Sequence, residues 1–355
     1  MKKLIFAAFA AGAMVLAGCT KIEVKEVPDS RAIGFDNFVS NSVKAIDETK
    51  ELTKFYVYGG YAGNWDVFSG DEVYYSNSAW TYDDTRYWKD ETTTYNFAAY
   101  SNDNKAVSGA TVALDGTDNK HLVITNYEIS DNGNNDLVYA YATGEYQQSS
   151  ANVDFTFYHI LSKVVFDITA DASLNGITLT FSDMTLKKVN TKATFTGADL
   201  SGNQFAANCW VGDGSTKTDI TSFTAGEGYT DLAITGSSAD EQFRTAPKFM
   251  IPQTVPTEDG SKFELSFSIS VSGDKAAEYN ISTTTPYAFS IELPAPTGNA
   301  WNPGYSYIYT AKFNIFNFND ELKPITFSVT EVYSWETPDI NTDLGSTDIG
   351  TGVTQ

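Results

Sequence analysis

Phe263-Glu264-Leu265-Ser266-Phe267-Ser268-Ile269-Ser270-Val271 sets an apolar side chain at every second position and a polar one between. A pleated strand turns successive side chains to opposite faces, so the run reads as a strand with one buried and one wetted face. The same alternation recurs at Ile177, Leu179 and Phe181, at Tyr287, Phe289, Ile291 and Leu293, and at Ile325, Phe327 and Val329. Weaker versions lie at Phe55 and Val57, at Tyr95, Phe97 and Ala99, and at Leu137, Tyr139 and Tyr141. Thr, Tyr, Phe and Val fill these runs, and Gly, Asn and Asp clusters such as residues 131–136 separate them as turns. Beyond the N-terminal leader no segment keeps a 3.6-residue apolar period for three turns; Asp47 to Lys54 could form at most one short helical turn. The expected class is all-β, built from antiparallel sandwiches with polar outer faces.

A longer run is more informative about organisation. Val153, Phe155, Phe157, His159 and Leu161 share one face, but Val164, Phe166 and Ile168 continue on the other. A change of phase inside one run predicts a bulge or bend near Ser162-Lys163. Just before it, residues 144–152 are polar and short of bulky aliphatics, which places a domain boundary there. With 355 residues, about two domains are expected. The predicted layout is a leader at 1–18, a tether or strand at 19–44, domains at 45–150 and 151–335, and a tail at 336–355. That tail holds no lysine, arginine or aromatic residue.

The N-terminus reads as an export signal. Lys2 and Lys3 precede an uncharged, mostly apolar run from Leu4 to Leu16. The run is short of the roughly 20 residues that span a bilayer but suits a signal peptide. It ends in Leu16-Ala17-Gly18-Cys19, which resembles a lipobox: cleavage is expected between Gly18 and Cys19, and the Cys19 thiol is the side chain that would carry lipid. Two acyl chains anchor stably where one does not. With Cys19 lipidated, Cys209 has no partner, and the fold must be held by its core rather than by a disulfide.

Composition narrows function. The formal net charge is −22, and removing residues 1–18 takes away two lysines and no acid. So acidic a surface repels phosphate backbones and anionic lipid, which excludes nucleic acid as an expected partner. The two histidines, His121 and His159, stand far from either cysteine, so no zinc spacing appears. No phosphate loop, dinucleotide fingerprint or nucleophile elbow is present. His159 on an apolar strand face reads as a buried, hydrogen-bonded histidine. Asp131 to Asp136 reads as a hairpin loop rather than a calcium site. Trp65, Trp80 and Trp88 could stack on sugars, but in a chain that is 14% aromatic most such residues belong to the core. Neither a catalytic residue nor a cofactor or metal is expected.

Several segments, in order, resemble a known family. They are Ala32-Ile33-Gly34-Phe35, Ser42-Val43-Lys44-Ala45, the strand from Leu52 to Tyr58, Trp80-Thr81-Tyr82, Arg86-Tyr87-Trp88 and the strand from Tyr95 to Tyr100. Further on come His159-Ile160-Leu161-Ser162-Lys163-Val164, Ile251-Pro252-Gln253-Thr254, the segment from Trp301 to Tyr307, and Trp335-Glu336. Together they resemble the fimbrillins of Bacteroidales, subunits of type V pili. The resemblance implies two transthyretin-like β-sandwich domains, a non-enzymatic adhesive role and a lipid-anchored precursor in the outer membrane.

In that family an N-terminal strand fills a groove in the first domain until a protease cuts after a basic residue. The open groove then takes a strand from another fimbrial subunit, since unpaired backbone and an apolar trough are satisfied by strand addition. The resemblance makes Ile33, Phe35 and Phe38 the expected groove-filling residues and Lys44 the expected cut, where the family has arginine. Arg31 is the alternative cut, but cleavage there would leave the filling residues attached. Ile340, Leu344, Ile349 and Val353 are spaced four, five and four apart, which makes the tail a poor donor strand. Stalk, tip and accessory roles therefore stay open, as does a non-polymerising surface lipoprotein that binds a glycan or host protein.

Overall fold

The computed structural model describes residues 31–39, 52–117, 120–147, 152–200, 205–237, 241–318 and 324–333. Cys19, Gly18, Lys44 and the tail at 336–355 lie outside these residues.

The described residues are all-β, with short 3-10 turns as their only helical segments. The first sheet is formed by β1 (Gly34–Val39), β2 (Lys54–Tyr61), β3 (Phe68–Ser76), β4 (Ala79–Tyr82), β5 (Tyr95–Asn102), β8 (Leu137–Gly144) and β9 (Asn152–His159). Its order is β1-β9-β8-β5-β2-β3-β4. Asn77 and Ser78 both have positive φ and close the β3–β4 hairpin as a two-residue turn, whose twist matches that of the strands. Gly70, at φ 89°, marks a bulge where β3 slips against β2, and a bulge bends and twists its strand. The sheet curls around Phe55, Val57, Phe68, Val73, Phe97, Ala99, Phe155 and Phe157, all buried.

Its other face meets a second sheet. β6 (Thr111–Leu114) and β7 (Leu122–Glu128) pair with each other, and β12 (Lys192–Thr196) and β13 (Trp210–Gly212) complete the order β13-β12-β7-β6. Ala98, Tyr100 and Tyr139 from the first sheet pack there against Ile124, Phe195 and Trp210. β5 is thus buried on both faces, although its neighbours pair with it antiparallel.

The remaining strands form a sandwich. One sheet runs β15 (Gln242–Arg244), β10 (Ser162–Ala170), β21 (Tyr305–Phe313), β22 (Phe327–Tyr333), with β16 (Lys248–Met250) also on β10. The other runs β14 (Ala233–Ile234), β11 (Thr178–Lys187), β18 (Glu264–Ser272), β19 (Tyr287–Glu292). The remaining pair, β17 (Gln253–Thr254) and β20 (Ala300–Trp301), forms a two-stranded ladder. Leu265, Phe267, Ile269 and Val271 face the core with Phe181, Phe243, Phe313 and Trp301.

Three expectations need correction. The boundary at 150/151 falls in the connection between β8 and β9, which pair antiparallel in one sheet. Its polar composition belongs to a hairpin loop rather than a linker. β12, expected in the second domain, pairs with β7 instead, and β13 pairs with β12. The sheets are also not wholly antiparallel, because β1 pairs parallel with β9 and β10 parallel with β21.

The change of phase near Ser162 is a bend, at Leu161, rather than a bulge. It is the passage of the chain from one sheet to another, with Ile160 and Leu161 between β9 and β10. The passage is held from several sides: the Trp210 indole donates to the Ile160 carbonyl at 2.6 Å, Gly304 N–H to the Leu161 carbonyl at 2.9 Å, and Ser162 Oγ to the Asn302 carbonyl at 2.9 Å.

Candidate functional site

The segment from Arg31 to Val39 is a stave set into the seam of the curled first sheet. On one side β1 lies parallel to β9, with Gly34 opposite Asn152 and Phe35 opposite Val153. On the other side Ala32 bridges Tyr87 antiparallel, Ile33 N–H donates to the Arg86 carbonyl at 2.9 Å, and Trp88 N–H donates to the Arg31 carbonyl at 3.0 Å. The Tyr82 hydroxyl donates to the Ile33 carbonyl at 2.6 Å and accepts from Arg86 N–H at 3.2 Å. Burial pushes the Tyr82 phenol up, so it remains a neutral donor at neutral pH. The segment therefore pairs on both sides, and both lips of the sheet depend on it for hydrogen bonds.

Its side chains fill the interior. Ile33 and Phe35 are only 1% and 3% exposed. The Phe35 ring lies among five others: Phe68 at 5.3 Å between centroids, Tyr82 at 5.6 Å, Phe155 at 5.8 Å, Phe55 at 5.9 Å and Phe97 at 6.3 Å. Four contacts are edge-on, and Phe155 stacks with its plane 10° from that of Phe35. Such pairs add about 0.5–1.5 kcal/mol each beyond area burial. Asn152 Nδ2 donates to the Asp36 carboxylate at 2.7 Å. A Cβ on Gly34 would stand 2.0 Å from Asn152 Oδ1, the end of an exposed side chain that would have to swing aside.

The expected trio does not share one phase of the strand. Phe38 stands three positions after Phe35, an odd spacing in a period of two, and pairs with Thr156. Its side chain lies outside the described residues. Arg31 is half-buried, with its guanidinium carbon 5.4 Å from the Tyr146 ring centroid and its carbonyl in the seam. Tyr82, Arg86, Trp88 and Asn152 form the rest of the seat. Arg86 and Trp88 stand in one of the motifs that carry the family resemblance, but nothing in the sequence joins them to Ile33.

The motifs farther along serve the core. The Trp301 indole donates to Tyr309 Oη at 3.0 Å, and Asn302 N–H donates to Tyr307 Oη at 2.7 Å. His159 Nδ1 and Asp136 Oδ2 lie 2.5 Å apart, both buried. His121 lies beneath Tyr139 and Tyr141. A second concavity, of about 510 Å³, lies beside the edge strand β19 and is lined by Phe289, Ile291, Leu293, Ile325 and Phe327. Among the described residues no cluster of three or more potential metal ligands occurs, and no helix is long and apolar enough to cross a membrane.

The fimbrillin-like family matches residues 38–335 of the chain. Among solved structures, a fimbrial protein from Bacteroides vulgatus aligns at 16% identity with a TM-score of 0.54, covering 86% of this chain and 100% of its own. A candidate cell adhesion protein from Bacteroides uniformis aligns at 18% identity with a TM-score of 0.47, covering 85% of this chain and 99% of its own. The first of these speaks to the shared fold. No curated protein matches the chain.

Proposed function

The chain belongs to the fimbrillin-like family, and on that premise we propose that it is a non-enzymatic fimbrial subunit whose N-terminal strand is exchanged during assembly. The precursor is exported, cut between Gly18 and Cys19, and held at the outer membrane by lipid on Cys19. Residues 31–39 occupy the seam until proteolysis frees them. The groove then takes a strand from another fimbrial subunit.

One observation carries this reading. The stave that closes the first sheet comes from the far N-terminus and pairs parallel with β9, more than a hundred residues away. It is joined to β2 only through residues 40–51, so a single cut in that connection would leave it attached by non-covalent contacts alone. Vacated, the seam exposes apolar rings and the unpaired backbone edge of β9, which an added strand would satisfy. A cut at Lys44 fits this geometry. A cut at Arg31 does not, because it leaves Ile33 and Phe35 in place and falls where the backbone is itself paired.

Negative-stain microscopy of cells that express the chain, with antibody labelling, tests the role. Labelled filaments are expected. A labelled smooth surface without filaments would instead favour a non-polymerising surface lipoprotein.

A further inference from the structure

The seat of β1 is selective as well as apolar, and its selectivity describes the strand that would replace it. Asn152 Nδ2 donates to the Asp36 carboxylate, with Oδ1 over the Cα of Gly34. A side chain at position 34 would push the amide aside and break its bond to position 36. One residue further on, the slot for Phe35 is walled by five rings, one of them stacked nearly parallel. An aliphatic or small side chain there leaves a void that those rings cannot close. At position 33 the aliphatic side chain is buried, and its carbonyl receives the Tyr82 hydroxyl.

We infer that the strand accepted by this groove carries an aliphatic residue and, two positions on, an aromatic residue. We infer also that it comes from a polypeptide other than residues 336–355 of a second copy. Those residues contain no aromatic. Their aliphatic–glycine steps, Leu344-Gly345-Ser346 and Ile349-Gly350-Thr351, place a short polar residue where the ring cage stands. This inference rests on the strand-exchange reading and names the partner's chemistry.

The test uses the full chain from Thr20, cut at a protease site introduced between Lys44 and Ala45. The cut protein is challenged with fluorescent peptides, and uptake is followed by anisotropy and mass spectrometry. The peptides are residues 29–40, the same peptide with Phe35→Ala or Gly34→Val, and residues 336–355. Residues 29–40 are expected to exchange in. Phe35→Ala should weaken uptake by on the order of a hundredfold, whereas Gly34→Val should change it little, because the exposed Asn152 amide can swing aside. Residues 336–355 should not be taken up. Uptake of residues 336–355 as tight as that of 29–40, or equal uptake of 29–40 and its Phe35→Ala form, overturns the inference while leaving strand exchange intact. Failure of every peptide, wild-type included, overturns strand exchange and the inference with it.

Discussion

Phe35 stacks on Phe155, the planes 10° apart and the centroids 5.8 Å apart, although 120 positions separate them in the chain. Phe155 belongs to a strand of the folded sheet, while Phe35 belongs to the stave that would leave it. On the proposed strand exchange, the contact lies across the boundary between what is retained and what is released.

If the stave is a full member of the core, truncating its anchor should cost as much as truncating the sheet itself. Phe35→Ala in the chain from Thr20 is expected to lower stability by about 3–5 kcal/mol. Urea denaturation checks this, with Phe55→Ala as the comparison. A loss below about 1 kcal/mol, outside the range of buried aromatic truncations, would mean that the ring is dispensable.

The hydroxyl of Tyr82 ties the Ile33 carbonyl to the backbone of Arg86. Tyr82→Phe keeps the ring packing and leaves both backbone groups without that partner, at a cost of about 1–3 kcal/mol. In protein cut after Lys44, the variant should release residues 20–44 faster than the parent, as read by mass spectrometry. Equal release rates would show that water replaces the hydroxyl without cost.

Asp136 and His159 form a buried pair at the end of β9. Burial pushes the Asp136 carboxyl up, while the charge and hydrogen bond of His159 pull it down. A carboxyl raised in the folded state contributes stability below its unfolded value, near 3.9, and loses it as pH rises through the folded value. Replacing His159 by leucine removes the opposing pull, so the folded value rises further. The deficit of His159→Leu relative to the parent should therefore be larger at neutral pH, about 3–5 kcal/mol, and smaller near the unfolded carboxyl value. Urea melts at the two pH values measure it, and equal deficits would contradict the pairing.

Much of this was legible in the sequence and some was not. Alternation revealed β18 and β11 because each has one face in the core and one in water. The phase change at Ser162 was visible, but its cause was not, because a bulge and a change of sheet both shift the buried parity. The polar run at 144–152 looked like a linker because hairpin loops and linkers share a composition. Ile33 and Phe35 were marked by family resemblance rather than by pattern, since two apolar residues two apart are too short a signal. Their partners Tyr82, Arg86 and Asn152 were out of reach, because pairing between distant segments leaves no local spacing to read.

The proposed lipid anchor depends on one thiol, that of Cys19. Cys19→Ala should leave the protein unlabelled by a fatty-acid probe and free it from acyl retention in the outer membrane. A variant that still takes up the probe would place the anchor elsewhere.

The central claim is that the stave is a removable part of the fold. The most direct measurement compares chains starting at Thr20, at Ala32 and at Ala45 by thermal melting and size-exclusion chromatography. The first two should be monomeric and similar in stability, because Ile33 and Phe35 remain. The chain starting at Ala45 should melt at a clearly lower temperature and associate, because its seam is open. A chain starting at Ala45 that stays monomeric and as stable as the one from Thr20 would contradict the claim and reduce residues 20–44 to a tether.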